Sequence, residues 1–175
     1  MRFSPPVMAI AAIFALSSSA TFSQEEEYQP DPRSVVLVDD AKAALNIGET
    51  EKAIDLFEAA LAIDPANRAA YLGLAETARA NGLPGKAIGL YRRILELEPN
   101  NIAALSGQGR AFVQRGAMEK AKINLTRLKD LCEGDCIETT LLSAAVEEGA
   151  PEEVLSAEAV TPAPTVSDEG ETQEP

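Results

Sequence analysis

The sequence predicts an all-α protein, an α-solenoid of three helix–turn–helix repeats closed by a C-terminal capping helix. Three observations carry this expectation. The chain repeats with a 34-residue period, so that Gly48, Gly82 and Gly116 coincide when it is slid along itself. Ala and Leu carry its hydrophobicity: 46 % of residues are apolar but only 5 % aromatic, which suits close-packed helices better than paired sheets. Its acidic charge lies at the two ends, leaving a near-neutral middle of repeat length.

The first segment reads as an address. Arg2 precedes the ten-residue apolar run Val7–Leu16, and Ser17–Ala20 is small and polar, the order of a secretory signal. Ten residues rise only about 15 Å as a helix, roughly half the hydrocarbon thickness of a bilayer. Residues 1–23 are therefore expected to be a signal peptide cut after Ala20 or Ser23, with an uncleaved anchor as the alternative. No cysteine lies nearby to carry a lipid. The mature chain is thus expected in the periplasm or outside the cell, without membrane insertion. Residues 24–33 read as an acidic linker.

Residues 34–67, 68–101 and 102–135 are the three repeats. The glycines at 48, 82 and 116 end each first helix, where a left-handed residue costs least without a Cβ. Ala41, Ala75 and Gly109, with Ala53, Ala87 and Ala121, are small so that the two helices of a pair approach closely. Phe57, Tyr91 and Leu125 are the large knobs between a pair and its neighbour. Pro65 and Pro99 are expected at the first turn of the next first helix, and Pro84 at that of the second helix of the middle repeat.

These residues resemble the tetratricopeptide repeat family, and small exported members from Gram-negative bacteria in particular. The middle repeat matches best, through Tyr71, Leu74, Ala75, Gly82, Ala87, Tyr91, Leu95 and Pro99. The first matches in its second helix, through Ala53, Phe57, Ala60, Leu61 and Pro65, but has Asp40 and Ala44 where Leu and Tyr are usual. The third keeps Gly109, Phe112, Gly116 and Ala121, with Glu133 in place of the closing proline. The resemblance implies a right-handed solenoid whose first helices line a concave groove. It maps groove exposure onto Val38, Lys42, Leu45 and Asn46, then Leu72, Glu76, Arg79 and Ala80, then Ser106, Arg110, Val113 and Gln114. The two-carboxylate clamp of chaperone-binding members is missing. Val38, Gly73, Ala103 and Ser106 stand at its positions, with Lys42 for the first Asn.

After the repeats, residues 136–149 read as the capping helix, with Ile137, Leu141, Leu142, Ala145 and Val146 on its apolar face. Residues 150–175 read as a disordered acidic tail of Pro, Ala and Glu. Cys132 and Cys136 flank the turn at Gly134 and are expected to form a disulfide in an oxidising compartment.

Net charge is −13, but residues 34–131 hold 13 basic against 12 acidic side chains, and residues 132–175 hold 12 acids and no base. This balance argues against a nucleic-acid partner. There is no His, which removes the usual general base and the commonest metal ligand. The expected function is a non-enzymatic scaffold, without cofactor or metal, that binds a protein or acidic peptide in the groove. Lys42, Asn46, Leu72, Glu76, Arg79, Ser106, Arg110 and Gln114 are its candidate site. Arg79 and Arg110 are the charge-assisted donors. The acidic C-terminal region is a candidate competitor for the groove. Two other readings remain open: a thiol–disulfide accessory factor using Cys132 and Cys136, and a module that self-associates.

Overall fold

The computed structural model describes residues 28–133 and 136–151. The expected signal peptide, the start of the acidic linker and the tail from residue 152 lie outside the described residues. All regular structure among the described residues is helical: α1 Pro32–Asn46, α2 Thr50–Ile63, α3 Arg68–Ala80, α4 Pro84–Leu97, α5 Ile102–Gln114, α6 Met118–Leu131 and α7 Ile137–Glu148. Helices pack in sequential pairs, α1 on α2, α3 on α4 and α5 on α6, and each pair rests on the next. The first helices α1, α3 and α5 also touch in succession, which puts them on one face of an α-solenoid.

The turns follow from residue type. Gly48, Gly82 and Gly116 have φ of +80°, +72° and +79°, the left-handed exit that spares a Cβ clash. Pro84 opens α4 as expected. Pro65 and Pro99 do not open α3 and α5. They lie in the preceding turns, and the caps are Asn67 and Asn101, whose side chains accept from the Ala70 and Ala104 amides at 3.1 and 2.9 Å. The signal for this was the Asn two residues after each proline.

The core is built from small residues and a few large ones. Ala41, Ala75, Ala53, Ala87 and Ala121 are fully buried, as are Phe57 and Tyr91. The Phe57 ring lies on Gly73 and the Tyr91 ring on Gly107, so closely that a Cβ at either glycine would overlap the ring. Sixteen residues separate ring from glycine in both cases. The third such step leads from Leu125 to Leu141, which is exposed. α7 therefore does not continue the repeat. It leans across α5 and α6 instead, and Leu142 buries itself against Gly109, where a Cβ would collide with it. Gly109 thus serves the capping helix rather than the fit of α5 on its own partner. Of the apolar face expected on α7, Leu142 is buried, Ala145 and Val146 are partly so, but Ile137 and Leu141 face solvent.

The N-terminal edge is more ordered than a linker. Asp31 caps α1, which begins at Pro32. The Tyr28 hydroxyl donates to Asp64, the Asp31 amide donates to the same carboxylate at 3.0 Å, and Arg68 stacks over the Tyr28 ring at 4.4 Å. Beneath them Asn67 donates to Ser34 Oγ at 2.6 Å, and Ser34 donates to the Ala60 carbonyl at 2.9 Å. The start of α1 is thus tied to the turn between α2 and α3.

At the other end, Cys132 is the C-cap of α6 and Cys136 the N-cap of α7. Their Cα atoms lie 5.7 Å apart with the sulfurs in contact, a separation suited to a disulfide.

Candidate functional site

The inner face of α3 and α5 carries the most unusual chemistry among the described residues. Arg79 stands in the last turn of α3, and Arg110 and Gln114 are one turn apart on α5. With Val113 they line a hollow of about 510 Å³, closed on its far side by Ala145, Glu148, Gly149, Ala150 and Pro151 at the end of α7. Four buried side-chain atoms here have no hydrogen-bond partner among the described residues: Arg79 Nε, Arg110 Nε, Gln114 Oε1 and the Tyr91 hydroxyl. Buried polar groups are normally satisfied, which sets this cluster apart from the rest of the described residues. Arg110 faces Glu76 at 3.6 Å, a loose pairing that leaves its Nε free.

Tyr91 enters this site from behind. Its ring crosses Gly107, which brings the hydroxyl through to the side of the two guanidiniums. Burial pushes the phenol pKa up, and Glu76 adds to that, while Arg79 and Arg110 pull it down by a lesser amount. The hydroxyl therefore stays protonated at neutral pH. In the sequence Tyr91 is only a large knob; its sixteen-residue spacing to a glycine on the inner helix is the signal that its polar end emerges there.

The other expected groove residues are dispersed. Ser106 is not on an open surface. It is 2 % exposed and donates to the Glu138 carbonyl of α7 at 3.0 Å, because the capping helix lies over that end of the face. Val38 is buried at 2 % exposure and serves the core, while Val113, at 5 %, is on the wall of the Arg79–Arg110 hollow. Leu72 packs against the core of the middle pair. Lys42 is exposed and paired with Asp39 at 3.2 Å, and Asn46 is exposed at the end of α1. Leu45 and Ala80 line a shallower hollow of about 260 Å³ with Glu76 and Arg79. The structure thus brings together Glu76, Arg79, Arg110 and Gln114, and leaves Lys42 and Asn46 apart.

A second basic cluster, Arg92, Arg115 and Lys120, surrounds a hollow of about 440 Å³ beside Phe112. All three cations are exposed and no unpartnered buried group lies among them. They form a solvated surface without the built character of the inner face.

The arrangement defines a class: an α-solenoid of tetratricopeptide type whose inner face presents two guanidiniums. Residues 38–102 match a family model described as tetratricopeptide repeat. Among solved structures, the chain resembles the Sgt2 TPR domain from Aspergillus fumigatus at 26 % identity and a TM-score of 0.62, over 81 % of this chain and 93 % of that one. The first TPR of Spaghetti (RPAP3), bound to HSP90 peptide SRMEEVD, is similar at 19 % identity and a TM-score of 0.62, over 69 % and 98 %. The first TPR domain of human RPAP3 is similar at 22 % and 0.59, over 66 % and 93 %. A search of curated proteins returns no significant match.

Proposed function

We propose that this chain is a non-enzymatic scaffold of the cell envelope that holds an acidic peptide segment of a partner protein on its inner face. The observation that carries this reading is the pair of guanidiniums, Arg79 and Arg110, that line the open hollow beside α7 with their Nε donors unpartnered. A carboxylate entering there gains charge-assisted hydrogen bonds that the protein itself leaves unmade. Further support comes from the Spaghetti domain, a similar fold whose bound peptide, SRMEEVD, is acidic. The residues at the family's chaperone clamp, Val38, Gly73, Ala103 and Ser106, cannot supply its donors, so the partner is an acidic segment of another kind. The envelope location is part of the proposal and rests on the signal order of residues 1–23.

Capture from envelope extracts with the wild type and with Arg79→Ala/Arg110→Ala tests this. Charge-assisted bonds contribute about 1.5–3 kcal/mol each, so the double variant should weaken binding at least about tenfold. The captured segment should be rich in Asp and Glu, and salt should release it. A partner held equally by both proteins would sink the reading.

A second reading is favoured by the place of Cys136 at the N-terminus of α7, where the helix dipole stabilises a thiolate. In that reading the Cys132–Cys136 pair exchanges disulfides as an accessory in envelope or cytochrome maturation. Cys136→Ser separates the two: a scaffold loses some thermal stability and keeps its partner, whereas a thiol exchanger loses function outright.

A further inference from the structure

The hollow between Arg79 and Arg110 has one wall made by the end of the described chain. Glu148, Gly149, Ala150 and Pro151 line it, and Pro151 is the last of them. The next two residues are Glu152 and Glu153, and residues 152–175 hold seven acidic side chains and no basic one. The described chain thus ends on the rim of the hollow, and the first two residues after it are both acidic. Glu148 shares this rim but makes no ion pair with either arginine.

From this continuity we infer that Glu152–Glu153 is the resident occupant of the Arg79–Arg110 hollow, an internal ligand that an acidic partner must displace. The inference rests on the reading that this face takes acidic segments, and adds that the chain carries one itself. The chemistry is that of two carboxylates pairing with the guanidiniums of Arg79 and Arg110, which line the hollow. Tethering matters more than intrinsic affinity here. A segment attached at the rim of its own site has an effective concentration in the millimolar range. A weak acidic peptide arriving from solution is therefore excluded, and a partner must offer more contacts than the two glutamates.

The test uses the full chain, the variant Glu152→Gln/Glu153→Gln, and the distal control Asp168→Asn/Glu169→Gln. The Nε–H resonances of Arg79 and Arg110, followed by NMR, should shift and exchange faster with solvent in the first variant and stay as wild type in the control. A synthetic peptide of residues 151–158 added in trans should bind the first variant about tenfold more tightly than wild type, because the internal competitor is gone. Unmoved arginine resonances, with equal peptide affinity for all three proteins, would overturn self-occupancy and leave the partner reading standing. If the resonances stay put and no protein binds the peptide, both readings fail. If the resonances move only in the first variant but nothing binds in trans, the internal ligand stands and the partner reading falls. An equal response from the distal control would overturn the assignment to Glu152–Glu153.

Discussion

The ring of Tyr91 rests directly on Gly107, with no room between them for a methyl group. This one contact joins the fold to the candidate site. It seats the middle repeat against α5 and lets the Tyr91 hydroxyl reach the guanidiniums of Arg79 and Arg110.

Gly107→Ala should destabilise the protein by about 1–3 kcal/mol, since a Cβ forces the buried ring to move in a close-packed interior. The gain in helix propensity, roughly 1 kcal/mol for Gly to Ala, offsets only part of this. Gly89, inside α4, has nothing within 4 Å of where its Cβ would sit. Gly89→Ala should therefore stabilise by about 0.5–1 kcal/mol. Urea denaturation of both variants checks the opposite signs, and equal behaviour would remove the steric account.

Tyr91→Phe deletes a buried hydroxyl that lies beside Arg79 but makes no well-formed hydrogen bond among the described residues. Replacing such a group by an apolar one of the same shape is nearly neutral, within about 1 kcal/mol, or stabilising. Thermal unfolding should show no loss. A large drop in melting temperature would mean that the hydroxyl has a partner in the folded protein.

Asn67→Ala should cost more than Asn101→Ala. Both lose a helix cap, about 1 kcal/mol each. Asn67 also donates to buried Ser34, whereas the second bond of Asn101 goes to exposed Glu98. Leaving Ser34 short of a partner adds about 1 kcal/mol. Comparison of the two urea midpoints decides the order.

The Tyr28–Asp64 contact makes stability depend on pH at both extremes. Burial alone would raise the Asp64 pKa, but hydrogen bonds from Tyr28, the Asp31 amide and the Ala66 amide outweigh it and hold the carboxyl below its ordinary value of 3.8. Its contribution is therefore present above pH 3.8 and lost as pH falls through the depressed folded value. Tyr28 is pushed from 10.0 up to about 12, first by burial and then by its bond to Asp64. That contribution is present below pH 10.0 and lost as pH rises towards about 12. Tyr28→Phe should flatten the alkaline arm of a stability profile and weaken the acid arm. An unchanged profile would contradict the coupling.

The repeat was legible because each of its signals is local. A glycine at a left-handed exit, an alanine at a helix crossing and the 34-residue return of both need only the chain's own neighbours to be understood. Helix number, pairing and most of the buried alanines could be read on that basis. Pro65 and Pro99 were misplaced by a few residues because a proline is tolerated both in a turn and at a helix start, and only the Asn caps separate the two.

The candidate site was legible in part. Arg79, Arg110, Glu76 and Gln114 are implied by the resemblance to the tetratricopeptide family, whose groove positions recur at fixed spacing on successive first helices. Ser106 shares that spacing and is nevertheless buried, because α7 abandons the repeat and lies over it. Where α7 settles depends on Leu142 finding Gly109 and on the ring-accepting position being occupied by Leu141. Periodicity says which residues share a helix face. What covers that face is decided by packing between elements distant in sequence, and that is a property of the assembled tertiary structure.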